Sequence, residues 1–353
     1  MANLKPTFAL SIGSFNSDDG HPAGGPSRLV VDRDMNFAAD SAVVELFDRS
    51  GVALDDDVKI ELGHDGERQT VFTGAIVEIR PSLSGARVLA LGKMNRLLAL
   101  RTANSYEGRT AGDIVRDLVD QAGLDVGTID DGPKLPRFAV DQHCSAYRFI
   151  KDLADRLGYE LYADREGRIM FHALGAAAGL DAAGGGLIGA AVGAISGLIG
   201  SGGAETYQFG KHLIEAEARR GAEPVGKVSV GGESPVSAQG ETTAHWLTTE
   251  SDDFRGEAGN GDPPRLVLDA SARTKDLADR FASGYRATFA RRAQHIFATT
   301  LGRPSLELGQ TIEVGDIPDR LANGRGYIQA IRHSLGAETG FLTELRIVPE
   351  AGG

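Results

Sequence analysis

The residues in this chain that come closest to a chemical motif are glycines. Gly184, Gly186 and Gly189 match the GxGxxG pattern of a dinucleotide-binding loop. Such a loop opens a helix directly after a strand, whereas about ten residues separate this run from the preceding predicted strand. The surrounding residues 173–204 hold 11 glycines, so the match is expected by chance. We therefore predict no dinucleotide site.

Side chains that could act as nucleophiles, bases or metal ligands lack the spacing of a known site. Cys144 follows His143, but adjacency in sequence does not bring a thiol and an imidazole together in a catalytic dyad. The eight histidines form no HxxxH or HExxH pair, and no GxSxG elbow or P-loop occurs. Carboxylates such as Glu160 and Glu166 could pair as in a glycosidase, but 49 acidic residues make such pairs inevitable, and we interpret them as solvated surface. We expect no enzyme, and no catalytic, cofactor-binding or metal-binding residues.

Four glycines indicate a contact surface instead. Gly185, Gly189, Gly193 and Gly197 recur every four residues, which on a helix gives one flat stripe that permits close helix–helix approach. The uncharged run 182–204 is long enough to span hydrocarbon, but glycine costs about 1 kcal/mol per helical position relative to alanine. Three interpretations stay open: a flexible insertion, a helix that packs against copies of itself or a partner, and transient membrane contact. These four glycines are the interaction candidates.

Composition and charge exclude several classes of protein. The 353 residues are 41% hydrophobic and 24% charged, as in a globular protein of several domains. The net charge of −12 argues against specific nucleic-acid binding, which needs basic patches. Cys144 is the only cysteine, which rules out an internal disulfide and fits synthesis in a reducing cytoplasm. The first residues lack a basic segment followed by an apolar core, so we expect no signal peptide.

The clearest folding signal lies in residues 141–172. Ser145 can cap a helix whose apolar residues recur at helical spacing as far as Leu157, and Gly158 can end it in a left-handed conformation. Two strands joined by an acidic turn follow. A second helix is predicted from Thr110 to near residue 123. None of these elements presents an obvious reactive group.

The rest of the chain is mostly strand-like, separated by Gly, Pro, Asp and Ser. The predicted strands are 7–12, 42–48, 58–62, 69–80, 86–92, 159–163, 168–172, 214–219, 225–230, 242–249, 294–300, 311–314, 327–334 and 343–348. Residues 13–27 are predicted as a loop, 254–264 as a polar linker and 270–291 as a long helix. We divide the chain into a first β-barrel domain (1–100), an α/β module (101–172), a Gly/Ala-rich insertion (173–204), a β segment with linker and helix (205–291) and a second β-barrel domain (292–353). The order β, α/β, β could reflect an internal duplication, although the sequence shows no clean repeat.

Three sets of residues stand in a fixed order along the chain. The helix from Thr110 carries Asp113, Ile114 and Val115. The 141–172 unit carries Gln142, Tyr147, Phe149, the run Leu153, Ala154, Arg156, Gly158, Tyr159 and Tyr162, and the acidic turn 164–167. The last predicted barrel carries Pro304, Leu306, Gly309, Gly326, Tyr327, His333, Thr343, Glu344 and Leu345. In this order, the motifs resemble the late control protein D family, the hub proteins of contractile phage tails and the hub half of VgrG-type proteins.

The resemblance implies a mainly β, α+β fold in which two small tube-like β-barrel domains and an inserted α/β module assemble as a pseudo-hexameric trimer. It implies a structural baseplate hub, a homotrimeric adaptor that joins a hexameric inner tube to a trimeric spike and forms part of the cargo channel. Other baseplate proteins, and a tape-measure protein, are further expected partners within an assembled phage tail or injection particle. Because the sequence ends soon after the last predicted strand, we expect a separate spike protein. The alternatives are a hub-associated peptidoglycan hydrolase and a membrane-active protein that acts through residues 173–204, although membrane contact is not expected.

Overall fold

A computed structural model describes residues 5–19, 25–47, 51–175, 204–232, 255–318, 320 and 323–350. The N-terminal part is built from strands: β1 (Pro6–Ile12), β2 (Phe15–Asp18), β3 (Pro26–Asp34), β4 (Ser41–Leu46), β5 (Asp57–His64), β6 (Glu67–Ser82) and β7 (Gly85–Gly92). The middle part is mixed: α1 (Asn95–Ala99), β8 (Asn104–Thr110), α2 (Ala111–Gln121), β9 (Val126–Ile129), β10 (Lys134–Val140), α3 (Ala146–Leu157), β11 (Tyr159–Ala163) and β12 (Ile169–Ala173). The last part holds β13 (Glu205–Gln208), β14 (Leu213–Arg220), β15 (Lys227–Gly232), β16 (Arg255–Gly259), β17 (Pro264–Asp269), α4 (Lys275–Ala290), β18 (Gln294–Leu301), β19 (Thr311–Gly315), β20 (Gly324–Gly336) and β21 (Gly340–Pro349).

One large curled sheet joins the two ends of the chain. Its strand order is β14-β18-β21-β20-β3-β4-β7-β6-β5-β1-β2, and β13 and β19 lie off this path, with β19 paired to β20. The two halves meet where β3 pairs antiparallel with β20, from Asp34 opposite Ala330 to Arg28 opposite Gly336. The prediction of a mainly β chain is confirmed. The two β regions are hydrogen-bonded into one sheet, and their division into two barrel domains stays a prediction.

Alternation along the strands places one face of this sheet against two hydrophobic cores. The N-terminal core is formed by β1 and β3 to β7, with Leu29, Val44 and Ile60 fully or almost fully buried. The C-terminal core is formed by β13, β14 and β18 to β21 and includes Ile312 and Ile347. Each half of the sheet therefore has its own core on the same side.

The α/β module has a third core, the module core, and its helices begin where the sequence predicts. The Thr110 side chain accepts from the backbone amide of Asp113, whose carboxylate accepts in turn from the Thr110 amide, which is a complete capping box. Ser145 caps α3, and Gly158 ends it at φ 73°. The hairpin of β11 and β12 follows, as predicted.

Helix α4, which follows residues 176–203 in the sequence, packs against α3 and completes the module core. A Cβ at Gly284 would lie 2.1 Å from the carbonyl oxygen of Arg156, so only glycine permits this crossing. Leu277 and Phe281 enter the same core as Leu153. The predicted helix 270–291 is confirmed in its interior, but it starts later, at Lys275 after the capping Thr274.

Two stretches that were predicted to be a loop and a linker contain strands. The predicted loop 13–27 includes β2, which pairs with β1, and the first residues of β3. The predicted linker 254–264 includes β16, which pairs with β15, and the first residue of β17. The sequence of β16, RGEAG, has no β-branched residue, yet Gly256 lets it approach α4, because a Cβ there would lie 2.2 Å from the carbonyl oxygen of Ala278. In both places, contacts with neighbouring elements determine that a strand forms, rather than local strand propensity. The predicted strand 242–249 lies outside the described residues.

Candidate assembly surfaces and buried joints

The predicted interaction candidates Gly185, Gly189, Gly193 and Gly197 lie outside the described residues, and their role stays a prediction. Cys144 is half-buried just before the capping Ser145. Within the described ranges, no group of three or more His, Cys, Asp or Glu side chains is placed to hold a metal ion. The polar groups with the most specific geometry instead lie between the layers of the fold.

A buried ion pair joins the N-terminal half of the sheet to the module hairpin. Arg33 is 2% exposed; its Nε lies 3.1 Å from Oδ2 of Asp40, and its Nη2 donates to the carbonyl oxygen of Ala163 at 3.0 Å. Burial raises the pKa of the Asp40 carboxyl, although the guanidinium of Arg33 opposes this shift. Because Arg33 projects from the core side of β3, the module must cover that side of the sheet.

A second buried joint connects the module to the C-terminal half of the sheet. Glu160 on β11 is 2% exposed and accepts a hydrogen bond from the phenol of Tyr327 at 2.9 Å. Nη1 of Arg291, directly after α4, lies 2.9 Å from the same oxygen, in an ion-pair contact without hydrogen-bond angles. Burial opposes the charge of Arg291, but Glu160 and Tyr327 raise its pKa above the ordinary value. The interpretation of Glu160 as solvated surface is therefore wrong, because β11 is covered on both faces.

A third buried group lies at the seam between the two halves of the sheet. Nδ1 of His333 is 3.0 Å from Oγ1 of Thr343, which also accepts from the backbone amide of Arg303. Burial, with a smaller effect of Arg33 and Arg165, lowers the pKa of His333 to about 3. His333 is therefore neutral in the folded chain near neutral pH.

We expect His333 to make the fold acid-sensitive. Its pKa is lower in the folded than in the unfolded chain, so its effect is absent above about pH 7 and grows as the pH falls from about 6.5 towards 3. Between about pH 7.5 and pH 5 it should remove about 2 kcal/mol from the free energy of unfolding. Urea unfolding of the wild type and of His333→Gln at both pH values isolates this term from other titrating groups. Equal losses in the two proteins would contradict the prediction.

The two halves of the large sheet repeat one topology. β3 pairs with β4, β4 with β7, β7 with β6, and β6 with β5. In the same way β14 pairs with β18, β18 with β21, β21 with β20, and β20 with β19. The α/β module lies between the two repeats, and α4 lies within the second repeat, between β14 and β18. The expectation of an internal duplication thus has a topological basis that the sequence did not show.

Irregularities in the strands recur at equivalent positions and fix the alignment of the two halves. A register shift lies after Ile76 in β6 and after Ile328 in β20. The backbone of Ile76 bonds the turn before β5, where Asp55 has φ 65°, and the backbone of Ile328 bonds the turn before β19, where Gly309 has φ 80°. A further shift follows Pro26 in β3 and Leu213 in β14. Three independent features therefore align the repeats residue by residue.

The face of the sheet turned away from the cores carries charges of both signs in near balance. Nε of Arg332 lies 2.6 Å from Oδ1 of Asp32, and its Nη1 lies 4.0 Å from Glu344. Arg346 contacts Asp34, and Arg80 contacts Glu78. Where β14, β18, β21, β20, β3, β4, β7 and β6 pair with one another, strand register places on this face the carboxylates Asp32, Asp34, Glu45, Glu78, Glu215, Glu217 and Glu344 and the guanidiniums Arg28, Arg80, Arg87, Arg219, Arg332 and Arg346. We call it the open face, because the module lies on the other side.

No protein-family model matches the chain, and no curated protein matches it in sequence. Solved structures with this fold are tail proteins of phages and prophages and a secretion protein similar to them. The 43 kDa tail protein of prophage MuSo2 from Shewanella oneidensis matches with a TM-score of 0.67 and 13% identity over 98% of both chains. A tail protein from Neisseria meningitidis MC58 matches with a TM-score of 0.68 and 15% identity over 98% of this chain and 97% of that one.

The third structure is the c3393 protein of E. coli, described as a component of the type VI secretion system with structural similarity to the T4 tail proteins gp27 and gp5. It matches with a TM-score of 0.56 and 12% identity over 97% of this chain and 77% of that one. The resemblance predicted from sequence motifs is confirmed at the level of the fold. Fold alone does not assign function.

Proposed function

We propose that this chain is a structural, non-catalytic baseplate hub that assembles as a homotrimer between an inner tube and a spike. The observation that carries this proposal is the internal duplication. One chain presents two equivalent half-sheets, so three chains would present six equivalent units to a sixfold tube while keeping threefold symmetry for a spike. The fold shared with tail proteins over nearly the whole chain supports this interpretation.

The open face would line the channel of such a ring. Arg33 reaches the module from the core side of β3, so at the seam the module lies on that side of the sheet and leaves the open face uncovered. This face combines paired charges with half-buried aliphatic side chains such as Val43 and Leu89. Its carboxylates and guanidiniums nearly cancel, so the acidic excess of the chain lies elsewhere. A wall of this kind gives a passing charged polymer little net attraction of either sign.

The two alternatives gain no support from the described residues. In the described part of the chain no helix is both long and apolar enough to cross a bilayer. The buried carboxylate Glu160 is held by Arg291 and Tyr327 rather than exposed to a substrate. We keep a muralytic assay of the purified chain as the direct test of hydrolase activity.

The proposal predicts a species three times the mass of the 37.2 kDa chain. Mass photometry of the purified protein, alone and with the spike protein of the same particle, measures this directly. Deleting the coding sequence should also abolish assembled particles, and supplying it in trans should restore them. A chain that stays monomeric with the spike, or particles that assemble normally without it, would contradict the proposal.

A further inference from the structure

The seam between the two halves shows how this sheet continues from one unit to the next. β20 pairs with β19 through its first residues and then, on the same side, with β3. Leu335 at the end of β20 packs against the N-terminal core of the other half. The Arg332–Asp32 ion pair crosses the seam on the open face. The seam is thus hydrogen-bonded, apolar on one side and ion-paired on the other.

The equivalent strand β6 lacks the second partner. β6 pairs with β5 only as far as Ala75, and β7 occupies the other side. From Val77 to Ser82, the side of β6 that corresponds to the β3 side of β20 meets no strand in the described part of the chain. Leu83, which is equivalent to Leu335 by position but lies in the turn directly after β6, is fully exposed, with a relative accessibility of 110%. A leucine whose counterpart is partly buried against a core is here left in water.

β14, the strand equivalent to β3, has an unpaired edge that complements the unpaired edge of β6. β14 pairs with β18, and beyond an isolated bridge between Leu213 and Phe209 its other side meets no strand among the described residues. Ile214 at its start is 54% exposed, while Ala216 and Ala218 already pack on the C-terminal core. Unpaired strand edges of this kind accept another chain by strand addition.

We propose that β6 of one copy pairs antiparallel with β14 of the next copy and repeats the β20–β3 seam between subunits. This inference rests on the proposed trimer and specifies its interface. The free edge of β6 is equivalent to the β20 side of the internal seam, and the free edge of β14 is equivalent to the β3 side. The partner of each free edge is therefore the other free edge, in a neighbouring copy. Such a head-to-tail contact closes into a ring when the rotation permits.

The duplication also fixes the register. Ile76 corresponds to Ile328, and the shared bulge makes Ser82 correspond to Ser334. On the other strand, pairing resumes after the register shift at Arg28 in β3 and at Glu215 in β14. Val30 and Glu217 each lie two residues further on, so Glu217 corresponds to Val30. Because Ser334 lies opposite Val30, Ser82 should lie opposite Glu217 of the next copy.

Two neighbouring contacts follow from this register. Leu83 should lie opposite Ala216 of the next copy, as Leu335 lies opposite Leu29, and it should be covered by the C-terminal core of that copy. Arg80 should lie opposite Arg219 of the next copy. Glu78 precedes Arg80 by two residues on one strand, and Glu217 precedes Arg219 by two on the other, so a carboxylate stands beside each guanidinium.

Disulfide trapping tests the seam and its register in the full chain. In a Cys144→Ser background, we compare Ser82→Cys/Glu217→Cys with Ser82→Cys/Glu215→Cys, in which the second cysteine is moved two residues along the same face of β14. Directly opposite residues approach closely enough for a disulfide, whereas diagonal neighbours lie about 7–8 Å apart. After mild oxidation, the first variant should form about ten-fold more covalent dimer and trimer on non-reducing gels.

Three outcomes are distinguished by measuring the mass of the unoxidised proteins in parallel. Trimers that crosslink through 82 and 217 and not through 82 and 215 support the seam. Trimers that crosslink equally, or not at all, overturn the seam and leave the proposed hub function standing. Monomers at every concentration, with and without the spike protein, overturn both.

Discussion

Replacing Glu160 with alanine should cost about 3–5 kcal/mol of the free energy of unfolding, the usual cost of leaving one partner of a buried ion pair alone. The substitution leaves the guanidinium of Arg291 and the phenol of Tyr327 without their shared acceptor, in a joint that is almost completely closed to water. Burial and the carboxylate both raise the pKa of Tyr327, so this phenol remains a proton donor and does not take over the negative charge. Urea unfolding of the purified chain measures the loss.

Two further variants identify the cause of the loss of stability in Glu160→Ala. Glu166→Ala removes a carboxylate from the turn after β11 that is 54% exposed and contacts only Arg168, and it should cost less than about 1 kcal/mol. Glu160→Leu/Arg291→Leu removes both charges and should recover part of the loss, because no buried charge is left unpaired. If Glu160→Ala costs no more than Glu166→Ala, the joint does not stabilise the fold.

The local elements could be predicted because their signals are local. Thr110 and Ser145 cap helices by bonding amides three residues away, and Gly158 ends a helix through its own backbone freedom. The apolar spacing between Ser145 and Leu157 needs only the buried face of one helix. Each of these predictions depends on residues within one or two turns of chain.

The buried contacts between the module and the sheet could not be predicted, because their partners are distant in the sequence. Glu160 is one of 49 acidic residues, and only the arrival of Arg291 and Tyr327 makes it a buried acceptor. The single signal was its position within the otherwise apolar strand YELYA. β16 likewise becomes a strand because β15 and α4 lie beside it.

The duplication was invisible for a related reason. Apart from short stretches such as 76–83 and 328–335, equivalent positions can share a backbone role without sharing a side chain: Asp55 and Gly309 both adopt positive φ, and Leu29 corresponds to Ala216. A pleated sheet demands only alternation and compatible size at most positions. The fold-level resemblance was accessible because motif order survives where side-chain identity does not.

Leu83→Asp should weaken association between copies by about 100-fold at each interface, since burying a leucine contributes about 1.5–3 kcal/mol and tenfold corresponds to about 1.4 kcal/mol. Within one copy the side chain is fully exposed, so the unfolding free energy of the monomer should not change. Mass photometry over a dilution series measures the association, and urea unfolding checks the fold. Val126→Asp, at a 43% exposed position on β9, in a different sheet from β6 and β14, is the matched control and should associate as the wild type does.

Because the proposed seam joins two different edges, variants blocked at opposite edges should complement each other once. Leu83→Asp blocks the β6 edge and leaves β14 intact, and Ile214→Asp blocks β14 and leaves β6 intact. Each alone can make no seam with itself, so each should be monomeric. Mixed together, they retain one wild-type seam, from the β6 edge of the Ile214→Asp chain to the β14 edge of the Leu83→Asp chain. The mixture should therefore yield species of twice the monomer mass and no trimer. A contact between identical patches would give no dimer on mixing, because each variant would carry a damaged patch, and that result would contradict the head-to-tail seam.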